Sequence, residues 1–209
     1  MTGRGKSRKK AVSSLKRQLI LDAARSIFEQ KGLEGASLRA IAQAAGYTPA
    51  ALYFHFESKE DVYAALLADS LSVLQQRVDR DVAAAETATD RIKAAAMAFF
   101  DFYRENPKDL DLGFYLFQGG MAPDGVGRER DEKLNGLLYA TLAPIGVAAE
   151  ELGLGDGDAK RLMADMFAHA TGVLLLAHTG RIKLFDVCPV TQMSDYVDAR
   201  IAGMNDGGD

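Results

Sequence analysis

Between residues 37 and 60 the chain sets hydrogen-bond donors beside small and aromatic apolar groups: Ser37, Arg39, Thr48, Tyr53, His55 and Lys59 alternate with Pro49, Ala50, Ala51 and Phe54. A guanidinium such as that of Arg39 can donate two parallel hydrogen bonds to guanine O6 and N7, whereas Pro49, Ala50, Ala51 and Phe54 offer only the apolar contact that a thymine methyl group accepts. Catalysis needs other parts: a nucleophile with its base and orienting acid, a metal cluster, or a glycine loop that cradles phosphate. The Gly153-x-Gly155-x-Gly157 stretch lacks the Gly-Lys-Ser/Thr that would follow in such a loop. His169 and His178 have no cysteine or close carboxylate at ligand spacing. The expectation is a non-enzyme without cofactor or metal.

These side chains need elements to hold them. Leu15, Leu19, Ala23, Ala24, Ile27 and Phe28 recur at three- and four-residue spacing, which predicts a helix over 12–31 stopped by Gly32. Ser37 can cap a second helix over 38–45 that ends at Gly46. Thr48 can cap a third, with Pro49 at its first position, running to about His55. Short helix, three-residue turn, short helix is the sequence form of a helix-turn-helix, whose second helix enters a DNA major groove. Phe28, Ile41, Ala45, Leu52 and Phe56 are its expected core, leaving 48–51 and 53–55 partly turned outward. Ser58 and Asp61 form a capping-box-like pair opening a fourth helix toward about Ala85. Further amphipathic stretches at about 88–105, 107–118, 129–152, 157–180 and 189–203 bring the count to nine helices, with Asp156, Asp158 and Thr191 as candidate caps.

The segment Gly46-Tyr47-Thr48-Pro49-Ala50-Ala51-Leu52-Tyr53-Phe54-His55-Phe56, followed by Ser58-Lys59-Glu60, resembles the recognition segment of tetracycline-repressor-like (TetR family) transcription regulators. Upstream, Ala23-Ala24, Phe28, Gly32, Ser37 with Leu38-Arg39, and Ile41-Ala42 fit the same pattern, so the resemblance spans about residues 14–67. Ala50 and Ala51 depart from it, standing where Gly and Thr or Ser are common. The resemblance implies an all-α protein with an N-terminal helix-turn-helix, three-helix domain and a larger C-terminal helical domain for ligand binding and dimerisation. It implies that Ser37, Thr48, Tyr53, His55 and Lys59 contact phosphates, which fixes register without reading sequence. A site read by few hydrogen bonds, with methyl contacts and DNA shape supplying the rest, is then expected.

The domain boundaries expected are a disordered basic arm over 1–11, the helix-turn-helix domain over 12–60 and the ligand-binding and dimerisation domain over 61–205. In the last of these, aromatic residues crowd two consecutive stretches, more than one helix face can bury. One reading makes them ordinary core. The other makes Met97, Phe100, Tyr103, Phe114, Phe117, Met163, Phe167 and His169 the lining of a cavity for a small apolar or aromatic effector, as the resemblance implies. Phe167, Ala170, Thr171, Leu174, Leu175 and His178, with Val190, Met193, Tyr196, Val197 and Ile201, form two apolar stripes that look like the pair of helices closing the family's two-fold dimer. A homodimer on a pseudo-palindromic operator follows, since two recognition helices about 34 to 36 Å apart reach successive major grooves.

Composition agrees with helices: 33 Ala and 24 Leu outnumber the 26 Val, Ile and Thr by more than two to one in 209 residues. A single cysteine, Cys188, and the lack of an apolar run behind the basic N-terminus predict a cytoplasmic protein without a membrane partner. Net charge is −4, but residues 1–60 carry +6 and residues 61–209 carry −10. This asymmetry confines a polyanion contact to one end. The Arg4, Lys6, Arg8, Lys9, Lys10 cluster would enter a minor groove or make diffuse phosphate contacts. Two other readings stay open: a constitutive DNA-binding protein without effector, and a helical adaptor or membrane-surface protein that uses the basic arm.

Overall fold

The computed structural model describes residues 3–113 and 125–205, with side chains from Val12 to Met204 within those limits. Its described residues form nine α-helices and no strand: α1 (Gly3–Lys31), α2 (Leu38–Ala44), α3 (Pro49–Tyr53), α4 (Lys59–Ala83), α5 (Ala88–Glu105), α6 (Pro107–Gly113), α7 (Arg128–Glu151), α8 (Asp156–His178) and α9 (Pro189–Asn205). A short 3-10 helix, Arg181–Phe185, lies between α8 and α9. The all-α architecture follows from the composition, and most boundaries fall within two residues of those the punctuation predicts.

Where boundaries differ, the causes are local. Helix α1 begins at Gly3, in place of the disordered arm expected over 1–11 and the helix expected from Val12. Lysine, arginine and alanine are good helix formers and no proline interrupts 3–31, so the apolar stripe that marks the core face under-reports how far the backbone stays helical. Helix α8 starts at Asp156 behind Gly155, which has no side-chain cap, and α9 starts at Pro189, so Asp156, Asp158 and Thr191 are first-turn residues and not caps. Thr87 is a cap that the sequence pattern does not announce: its hydroxyl accepts the Asp90 N–H at 3.0 Å.

The chain separates into two compact units, residues 1–69 with 111–134, and residues 70–110 with 135–209. The division between the two units falls inside α4. In the first unit α1 packs on α2 and α2 on α3. Ile20, Leu21, Ala24, Phe28, Ile41, Leu52, Phe56, Val62 and Leu66 are buried there, and Phe28 meets Tyr63 edge-on at 5.3 Å between ring centroids. Ala45, an expected member of this core, is half-buried, because it is the C-cap of α2 and turns with the chain. In the second unit α5, α8 and α9 pack on one another, with Phe100, Ile92, Ile145, Met166 and Met193 fully enclosed.

Candidate nucleic-acid interface

The short helix α3 is held from both ends and from below. At its start Thr48 is extended (φ −76°, ψ 149°), and its Oγ1 accepts the Ala51 N–H at 3.2 Å. Pro49 fills the first helical position, where no N–H is needed. At its end the His55 and Phe56 N–H groups bond back to the Leu52 carbonyl at 2.8 and 3.0 Å. Beneath it Leu52 and Phe56 are almost wholly buried.

The turn before α3 is equally determined. Helix α2 ends with the Tyr47 N–H on the Ala42 carbonyl at 2.8 Å and the Gly46 N–H on the Gln43 carbonyl at 3.2 Å, the pairing of a Schellman motif. That pairing requires the left-handed φ of +73° at Gly46. At the other end of α2, Ser37 Oγ accepts the Ala40 N–H at 3.2 Å. Both predicted caps therefore form, and each hydroxyl accepts with its oxygen while keeping its own O–H to donate outward.

Underpinned in this way, α3 presents an apolar surface to solvent. Tyr53 is 60% exposed and Phe54 90% exposed, and Thr48, Pro49 and Ala50 are exposed beside them. Ala51 and His55 are half-buried. Arg39, on the first turn of α2, is exposed and has no hydrogen-bond or ion-pair partner among the described residues. Lys59, expected as a phosphate contact, is also engaged within the protein: its Nζ donates to the Leu33 carbonyl at 3.0 Å and lies 3.9 Å from Glu34 and 4.0 Å from Glu60. The start of α4 is thereby tied to the turn after α1, a link that no local pattern announces. The Ser58 and Asp61 pair also shifts by one residue, since Asp61 Oδ2 accepts the N–H of Glu57 and not that of Ser58, while the Asp61 N–H reaches Ser58 Oγ as expected.

The expected effector lining is brought together only in part. Phe100, Tyr103 and Met163 are buried in the second unit, and Met97, Phe167 and His169 are half-buried; Phe114 and Phe117 lie outside the described residues. Phe99, outside the expected lining set, links two of these elements: it packs edge-on against Tyr103 at 5.0 Å and Phe167 at 5.7 Å. Burial pushes the Tyr103 phenol well above its ordinary pKa. Of the described members of the lining set, only His169 borders the open concavity of about 440 Å³ formed by α8, the 3-10 helix and the start of α9. Its ring stacks on Tyr196 with centroids 3.7 Å apart.

The apolar stripes of α8 and α9 also sort differently from the expectation. Ala170, Leu174, Met193, Val197 and Ile201 are buried within the unit, because α8 and α9 pack on each other and on α5. What remains exposed is Leu175 with Leu184, Phe185 and Val187, the last three on or beside the 3-10 helix that the periodicity does not reveal.

Residues 20–66 match the family described as bacterial regulatory proteins, tetR family. The helix-turn-helix segment of this chain is thus similar to that of TetR-family regulators. The matched span runs from inside α1 through α2 and α3 into α4, which is the set of elements that positions the surface described above. Curated relatives include the HTH-type transcriptional activator FasR of Mycolicibacterium smegmatis, 37% identical over 106 residues that cover 47% of this chain and 45% of FasR. The HTH-type transcriptional repressor KstR2 of the same organism is 31% identical over 86 residues, 41% of this chain and 42% of KstR2. The chain spans about half the length of the curated relatives it matches. Among solved structures, a protein of unknown function from Rhodococcus sp. RHA1 superposes with a TM-score of 0.70 at 27% identity, over 90% of this chain and 94% of that one. FadR from Bacillus subtilis, solved in complex with stearoyl-CoA, superposes with a TM-score of 0.68 at 17% identity, over 89% and 98%. The last likeness is one of fold. Among the described residues no helix is long and apolar enough to cross a membrane.

Proposed function

We propose that the chain is a cytoplasmic, sequence-specific DNA-binding regulator, most simply a repressor, that acts as a homodimer on a pseudo-palindromic operator. One observation carries the reading: a five-residue helix, capped, braced and anchored by two buried side chains, spends that support on holding Tyr53 and Phe54 out in water. Exposed aromatic residues cost solubility unless something covers them. On a helix-turn-helix, that partner is a duplex. Tyr53, His55 and the free O–H groups of Ser37 and Thr48 supply phosphate contacts; Lys59 has two N–H groups left for the same purpose. Arg39 reads a base, while Pro49, Ala50, Ala51 and Phe54 pack on methyl groups.

The effector is a small apolar or aromatic molecule held by the second unit, near Met97, Phe100, Tyr103, Met163, Phe167 and His169, with Phe114 and Phe117 as further candidates. The concentration of aromatic residues on α5 supports this, and a protein of like fold has been solved with stearoyl-CoA. Linkage then requires that effector and DNA weaken each other by the same factor. The exposed Leu175, Leu184, Phe185 and Val187 are the surface that pairs two copies.

Selection from a random duplex pool with the purified protein, repeated with Arg39→Ala, tests the reading. The expected outcome is a two-fold-related consensus for the parent. For the variant, affinity for that consensus falls by about 1–3 kcal/mol, with little change on random duplex. An equal fall on both would remove Arg39 from base reading, and no enrichment at all would remove the function.

A further inference from the structure

A second concavity, of about 230 Å³, lies wholly within the first unit and is bordered by Arg17 of α1, His55, Asp61 of α4, and Arg130 and Lys133 of α7. Its chemistry is unlike that of the exposed face of α3. Two arginines, a lysine and a histidine ring border it against one carboxylate. Neither Lys133 nor the His55 ring has a hydrogen-bond or ion-pair partner among the described residues.

The two arginines are only partly engaged. Arg17 Nη1 reaches Asp69 Oδ2 at 3.3 Å, and its guanidinium lies over the Phe56 ring at 5.7 Å. Arg130 Nε lies 3.6 Å from Asp61 Oδ1, and its Nη1 reaches the Val126 carbonyl at 3.5 Å. A guanidinium carries five N–H donors in a fixed fork, so each arginine keeps donors after these long contacts. The Asp61 carboxylate is already occupied, with Oδ2 accepting the Glu57 N–H at 3.2 Å and Oδ1 facing Arg130. Cations gathered round one concavity with donors to spare attract an anion, and a multivalent oxyanion is the ligand whose acceptor count and charge match what is left over.

We propose that this concavity is a binding site for the phosphoryl group of a free, small phosphorylated ligand, with Lys133 and Arg130 as its principal charged contacts and His55 closing it from the α3 side. Ala64, Ala65 and Ala68 give it a floor of small side chains that lets the oxygens approach the cationic heads. His55 is shared with the duplex-facing surface proposed above, and a backbone phosphate of a duplex offers the same oxyanion; the experiment separates the two sources.

The test titrates the intact protein, in one arm with sodium phosphate at ionic strength held constant with sodium chloride and in a second arm with random duplex alone. The readouts are the ring resonances of His55 and the thermal midpoint. The sequence contains three histidines, so His169 and His178 in the second unit serve as internal controls. A saturable shift confined to His55, with a rise in the midpoint, is expected. Lys133→Gln and Arg130→Gln should each weaken phosphate by at least about tenfold. Lys133 is exposed, so Lys133→Gln keeps the proposal decidable even where Arg130→Gln does not fold. A non-saturating response, or one identical in the parent and Lys133→Gln, overturns it. So does a His55 shift produced by random duplex but not by phosphate, accompanied by a lower salt slope for duplex binding in Lys133→Gln, since that assigns the cations to the duplex backbone.

Discussion

At the scale of single residues, the pair Leu52 and Phe54 shows how two apolar side chains two positions apart take opposite work. Leu52 is completely buried and holds α3 down, whereas Phe54 is 90% exposed and holds up nothing. Truncating Phe54 to Ala should therefore leave the stability measured by urea titration within about 0.5 kcal/mol of the parent, as for other surface substitutions. Duplex affinity should fall clearly in the same preparation. A stability loss as large as a core truncation, about 2–5 kcal/mol, would show that Phe54 packs against the protein and not against a partner. The alternation is legible in the sequence because helical spacing puts Leu52 and Phe56 on one side. The engagement of Lys59 with the Leu33 carbonyl is not, because the partner lies in another turn of the chain and nothing in the residues around Lys59 names it.

At the scale of elements, the turn between α2 and α3 carries the geometry. An added Cβ at Gly46 would meet nothing within 4 Å, so a substitution there is opposed only by its left-handed backbone. Gly46→Ala should lower stability by about 1–2 kcal/mol, seen as a lower midpoint in thermal melts, and Gly46→Asn should lose less because asparagine tolerates that conformation. If the two variants melt together with the parent, the Schellman pairing does not hold the turn. Sequence pattern places this glycine correctly and misses the 3-10 helix after α8. Gly46 stops a helix by a local rule, whereas Arg181–Phe185 has no period of its own and sits between two left-handed residues, Gly180 and Asp186.

At the scale of the whole molecule, the separation of charge decides where a polyanion can bind. Residues 1–60 carry +6 on a chain whose total is −4, so a polyanion meets attraction at one end and repulsion elsewhere. Deleting residues 1–11, which removes five Lys/Arg, should flatten the slope of log affinity for duplex against log salt. The slope changes by about 0.9 for each phosphate that the shortened protein no longer neutralises. An unchanged slope would place the N-terminal turns of α1 outside the interface.

The sequence by itself determined the helices, their glycine stops, the caps at Ser37 and Thr48, and which residues of α3 face inward, because all of these depend on neighbours within about four positions along the chain. Only the tertiary structure decided which apolar residues of α8 and α9 are already covered and which stay in water. It also decided that Arg17, Arg130 and Lys133 converge on one cavity. Those outcomes depend on distant segments competing for the same surface, and periodicity reports that a face is apolar without reporting what arrives to bury it.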